Sequence, residues 1–267
     1  MLRRLLASLL LAAIAVAPAA CAGRDLDRAL ALERRGDHAA AAAAYRPLAE
    51  GGDVTAQIQL GTLLVAGRGV NEDPAEAAKW FRAAADTGNT EAQLYLAQLY
   101  MRGSGVPFDL RQAAAWYRRA AELGNTEAAA ELAGMTLNGI GVPPDPAGAL
   151  ALYHMAAASE DPEIQLTLGI MYGQGIGTDV DAAQAIAWLR RAADQNYARA
   201  QYNLGVIYGR GLGVPADPVE AYKWLDIATL QGDEEAKDAR DVVAADMSPA
   251  QVAEAKARTR AWRPKMN

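Results

Sequence analysis

Two histidines, one cysteine and a set of evenly spaced aspartates are the side chains of this sequence whose types could do chemistry. His38 and His154 lie far apart with no cysteine beside either, so the short spacing that lets two side chains share a metal is missing. Ser104 sits inside a Gly-x-Gly stretch whose middle position is elsewhere Arg68, Ile140, Ile176 or Leu212, which argues against a nucleophile. That stretch lacks both the preceding strand and the third glycine of a phosphate-binding loop. Asp73, Asp109, Asp145, Asp181 and Asp217 would form acid and base pairs only if they converged. Their interval assigns them to equivalent places in successive structural units, and no catalytic, cofactor-binding or metal-binding constellation emerges.

The elements that position these residues recur every 36 residues, and a fixed period sets the architecture before any local reading. Glycines fall at 67, 103, 139, 175 and 211, with a second glycine two residues after each. Gly-x-Gly ends one helix and reverses the chain, because glycine tolerates positive φ. The aspartate then stands at an N-cap, with Pro74, Pro146 and Pro218 at the first helical position. Glu76, Gln112, Gln184 and Glu220 follow three residues later, a pattern resembling a capping box. Apolar residues such as Ala77, Trp80, Phe81 and Ala84 form one helical stripe, and Trp80, Trp116, Trp188 and Trp224 read as core. Gly61, Ala97, Ala133, Gly169 and Gly205 hold a small position in each first helix, so the second helix is expected to cross close by.

Five full units therefore occupy 53–232. Residues 23–52 read as an atypical helical hairpin capping the N-terminal end, and 233–267 as a C-terminal helical cap with a fraying tail from Pro264. The third and fourth units drift. Leu152 replaces tryptophan, Ser159-Glu160 replaces the Gly-Asn exit, and Pro162 opens the next helix, readable as neutral variation or as a bend in the array.

Met1 to Val16 carries Arg3 and Arg4 and then an apolar run, the layout of a secretory signal peptide, expected to occupy 1–22. Ala19-Ala20-Cys21 resembles the end of a bacterial lipoprotein box, with Pro18 in place of leucine, while Ala20-Cys21-Ala22 also fits ordinary cleavage after Ala22. Cys21 is thus a lipidation candidate, and the expected location is the periplasm or cell envelope. No cysteine pair remains to brace an exported chain. Net charge is −6, and an acidic chain without a basic stripe is a poor partner for nucleic acid.

Ala200, Leu204, Gly205, Tyr208, Gly211, Gly213, Val214, Asp217, Ala221, Trp224 and Ala228 spell a pattern that resembles the Sel-one-like repeat, a relative of the tetratricopeptide repeat. The resemblance implies an all-α fold, a right-handed α/α superhelical solenoid of tetratricopeptide-like helix pairs. It also implies an adaptor that presents a surface to other proteins. A cysteine-rich branch of the family binds or hydrolyses β-lactams, but it carries a cysteine pair in each repeat and this chain has none.

In a stacked array, recognition falls to positions that vary while the frame is kept. On the first helices these include Gln59, Thr62, Tyr95, Gln98, Arg102, Glu131, Asn138, Thr167, Gln174, Asn203 and Arg210, expected to line the inner face and to take a protein or peptide segment. The sequence thus reads as a non-catalytic envelope adaptor. The alternatives are a periplasmic regulatory subunit of a membrane sensor kinase, or an envelope enzyme acting on peptidoglycan or a β-lactam.

Overall fold

The computed structural model describes residues 19–265, with side chains from residue 23 onward. The expected leader and the lipidation candidate Cys21 lie outside the residues whose side chains are described. Among the described residues there are fourteen α-helices and no strand. The first pair is α1 (Ala19–Arg34) and α2 (His38–Glu50). The repeating pairs follow as α3 (Val54–Ala66) with α4 (Pro74–Asp86), α5 (Thr90–Arg102) with α6 (Leu110–Glu122), and α7 (Thr126–Asn138) with α8 (Pro146–Ala156). They continue as α9 (Pro162–Gln174) with α10 (Ala182–Asp194) and α11 (Ala198–Arg210) with α12 (Pro218–Thr229), before α13 (Glu234–Ala245) and α14 (Pro249–Ala261). The chain divides into two compact units, Met1–Thr87 and Gly88–Asn267.

In the first unit, Gly67 ends α3 in the left-handed region at φ 60°, and its N–H returns to the Leu63 carbonyl. Asp73 then caps α4 by accepting from the Glu76 N–H at 2.8 Å, a bond whose loss costs about 0.5–2 kcal/mol. The second glycine has a different task. A Cβ on Gly69 would collide with the backbone of His38 and Ala39, so this residue lets the turn lie against the start of the preceding second helix. Gly61 is the small position: an added Cβ would stand 2.6 Å from Cε1 of Phe81. The close crossing expected from the recurrence of small residues is present. Arg46 of α2 bonds Glu76 of α4, and Gln57 of α3 donates to the Ala49 carbonyl at the end of α2 at 3.1 Å.

The second unit repeats these devices from α5 to α12. Gly169 and Gly205 meet Leu189 and Leu225 as Gly61 meets Phe81. Gly141, Gly177 and Gly213 press against Leu110, Pro146 and Ala182, the first residues of α6, α8 and α10. Gln165 and Gln201 donate to the Glu160 and Ala193 carbonyls. Trp116 and Trp224 are buried as expected, but Trp80 in the first unit and Trp188 here are only half-buried. Trp188 packs against the cluster of Ala121, Ala129, Ala156, Ile164 and Leu168 with its ring covered by the Arg191 guanidinium at 4.4 Å.

The capping-box expectation requires a correction. Each aspartate caps its helix, but Glu76 and Glu220 do not reach back to the cap. Glu76 binds Arg46 and Trp80; Glu220 binds Arg190, Lys223, Trp224 and Arg258. The reciprocal box forms instead at Ser248 and Gln251, opening α14. Within the tail expected to fray, the backbone N–H and Nζ of Lys265 donate to Asp194, at 2.7 Å to its carbonyl and 2.6 Å to its carboxylate. Trp262 meets Trp224 edge to face, with centroids 6.2 Å apart, so the C-terminal segment is fastened to α12 and α10.

The drift of the third and fourth units has a definite form. α8 is eleven residues long where its counterparts have twelve or thirteen, and a single 3-10 turn, Ala157–Ser159, replaces its end. Glu160 follows in the left-handed region at φ 58°, where Gly124 and Gly232 stand in other repeats.

Candidate functional site

The first helices α7, α9 and α11 frame two grooves, and the sequence explains both by missing bulk. In α7, Ala129, Ala130 and Gly134 stand where α9 has Gln165, Leu166 and Ile170. That thinning opens a cavity of about 770 Å³ between α7 and α9, beside the 3-10 turn. Its apolar surface comes from Met101, Met135, Ile140, Tyr153 and Ile164. Four carboxylates line it, Glu127, Glu131, Asp161 and Glu163, with no lysine or arginine among the lining residues.

The second groove, about 360 Å³, lies on the other side of α9, against α11. Gly173 leaves part of its floor bare beside Ala185 and Leu189 of α10, and Ile170, Val206, Ile207 and Leu212 make its walls. Residues of α9 line both grooves, Ile164 and Thr167 the larger and Ile170 and Gln174 the smaller, so this helix supplies one edge of each.

The residues expected to meet a partner divide accordingly. Glu131, Asn138 and Thr167 line the larger groove, and Gln174 and Asn203 the smaller. Tyr95, Gln98, Arg102 and Arg210 stand outside both linings, on α5 and α11, and Gln59 and Thr62 belong to α3 in the first unit. Every one of these side chains is partly or fully exposed. Several are held locally. Asn138, Thr167 and Asn203 each donate to the carbonyl four residues back, Thr62 to the one three back, and the Tyr95 hydroxyl to Glu91 at 3.1 Å. Such bonds hold rotamers in place but leave the remaining lone pairs and donors facing outward.

The electrostatics single out Glu131. Burial, and then the neighbouring Glu127, push its carboxyl above the usual carboxylate range. Burial and the charge of Glu131 likewise raise the hydroxyls of Tyr117 and Tyr153, which approach from α6 and α8. The Tyr117 hydroxyl donates to Sδ of Met101 at 3.3 Å, fixing the groove floor. His154 lies on α8 with Nε2 2.8 Å from the Tyr172 hydroxyl and its ring edge-to-face with Trp188. Partial burial lowers its pKa, although the residue remains exposed. Among the described residues, no three His, Cys, Asp or Glu side chains are placed to hold a metal ion.

Reading the sequence alone missed Gly134, Gly173, Ile140 and Leu212 as groove residues. The signal was present in the register: at position 173 earlier units carry Val65, Met101 and Leu137, so a glycine there removes a wall.

Comparison with known proteins places this arrangement. Residues 54–89, 90–125, 126–161, 164–197 and 198–233 each match the family described as Sel1 repeat. The chain is similar to the crystal structure of c5321, a protective antigen present in uropathogenic Escherichia coli strains with an SLR fold, at 29% identity and a TM-score of 0.80. That match covers 90% of this chain and 54% of the antigen, so the chain spans about half the antigen's length. A Sel1 repeat protein from Oxalobacter formigenes matches at 27% identity and a TM-score of 0.71, over 76% of this chain and 83% of its own. No curated protein matches the chain.

Proposed function

The chain belongs to the Sel1 repeat family, and from that premise we propose that it is a non-catalytic adaptor of the bacterial cell envelope. It captures a protein or peptide segment on the face formed by its first helices. One observation carries the reading. Residues that recur in phase are consumed by architecture, whereas those that differ from unit to unit, such as Ala130, Gly134 and Gly173, are the ones that open grooves.

The apolar leader with its two arginines supports export, and the intact mass of the mature protein tests both export and lipidation at Cys21. For binding, a photoreactive residue at Asn203 in cells should give a discrete protein adduct. Reversing the charge of Arg102 and Arg210 together should weaken that capture without lowering the melting temperature. Unchanged capture, or no adduct at all, would remove the first-helix face as the site.

A further inference from the structure

The two grooves flank a single helix, and their chemistry differs. One carries four carboxylates over an apolar floor; the other is mainly apolar, with Gly173 in its floor. We propose that together they take one extended segment of a partner protein, with a lysine or arginine seated among Glu127, Glu131 and Glu163 and an aliphatic or aromatic anchor seated over Gly173 between Ile170 and Val206. This deepens the adaptor reading and rests on it.

Glu127 and Glu131 on α7 and Asp161 and Glu163 at the start of α9 line the larger groove, and no lysine or arginine is among its lining residues. Burial and Glu127 already hold the Glu131 carboxyl above its ordinary range, a cost that an incoming cation relieves. The smaller groove is mainly apolar, with Gln174 and Asn203 its polar side chains and no charged residue in its lining, which favours a hydrocarbon side chain over a charge. Grooves on either side of one helix lie roughly 10 Å apart. An extended chain covers that distance in about three residues. The expected signature is therefore a basic residue and an apolar anchor about three positions apart.

Gly173 provides a test free of folding artefacts. Its added Cβ would rest at an ordinary 3.7 Å from the Ala185 Cβ, and leucine is the better helix former. Gly173→Leu should thus fill the groove and leave the fold at least as stable. A random-peptide phage-display library is selected against the full chain, and the synthetic consensus peptide is titrated by fluorescence anisotropy. The expected consensus carries the basic and apolar pair, and its affinity falls by about tenfold or more on Gly173→Leu and, independently, on Glu131→Lys.

A consensus without the basic residue, an affinity unchanged by either variant, or no enriched peptide would overturn the proposal. Dimerisation abolished by Gly173→Leu, or peptide binding seen only after residues 1–22 are removed, would give the grooves to a second copy or to the chain's own leader. A consensus of other chemistry that still competes with the Asn203 adduct leaves the adaptor reading standing and sinks only this one; loss of the adduct in cells sinks both.

Discussion

Gln195 donates its side-chain Nε2 to Oε1 of Gln165, thirty residues earlier, at 3.0 Å. Gln231 makes the same bond to Gln201. Each accepting glutamine in turn donates to a carbonyl at the end of the preceding unit, Glu160 or Ala193. The first full repeat makes only half of this device. Gln57 donates to Ala49, but thirty residues on stands Thr87, whose hydroxyl turns to Ala84. The buried Oε1 of Gln57 is left without a partner.

Thr87→Gln should complete the pair and stabilise the protein by about 1 kcal/mol, because a buried acceptor regains its bond. Gln57→Ala should cost about 0.5–1.5 kcal/mol, since the Ala49 carbonyl loses this donor but keeps the Gly52 N–H. Urea unfolding midpoints measure both. A neutral Thr87→Gln would show that the Oε1 already has its bond from water.

Glu160→Gly should raise the melting temperature. A non-glycine residue held at φ 58° pays about 1–2 kcal/mol for the left-handed region, and the bonds that Gln165 and Gln195 make to residue 160 go to its carbonyl, which glycine keeps. Part of the gain is returned through the greater freedom of the unfolded glycine, leaving an expected net of about 1 kcal/mol by calorimetry.

Gly169 and Gly173 lie one turn apart on α9 and should respond oppositely to alanine. At Gly169 the methyl would stand 2.6 Å from Cγ of Leu189, and such overpacking costs about 1–3 kcal/mol. At Gly173 it meets nothing closer than 3.7 Å, so helix propensity wins and about 1 kcal/mol is gained. Equal effects at both positions would contradict the close crossing of α9 and α10.

Glu131 and Glu220 should give opposite pH responses. Glu131 has a raised carboxyl, chiefly from burial and then from Glu127. The stability tied to its protonated form is full below the ordinary glutamate range and is lost as pH rises through the folded value. Glu131→Gln should therefore be neutral in acid and stabilising near neutrality. Glu220 is lowered: burial alone would raise it, but its bond to Lys223 and the charges of Lys223 and Arg190 outweigh that. Its contribution is present above the ordinary glutamate range and is lost as pH falls through the folded value. Glu220→Gln should destabilise at neutral pH, and the difference should close in acid. Thermal melts of the four pairings of variant and pH decide the matter.

Much of the fold was legible because its causes are local. Gly67, Asp73 and Pro74 act on backbone within a turn of themselves, so their recurrence is enough to place a helix end, a reversal and a capped start. The small residues at Gly61, Gly169 and Gly205 announced the close crossing for the same reason: a missing side chain has one steric consequence. Glu76 and Glu220 were misread because a glutamate three residues after a cap has two options, and the choice depends on whether an arginine from the preceding unit arrives.

The sequence by itself determined the helical repeat, its period, its caps and the absence of bulk at Ala130, Gly134 and Gly173. Only the tertiary structure decided what those absences produce, because a groove is a property of two neighbouring helices and not of either one. The shortened α8 and left-handed Glu160 lie beside the larger groove, and α9 joins it to the smaller one. Four carboxylates scattered over 37 residues thus line one cavity, since side chains distant in sequence share a field only when packing brings their helices side by side.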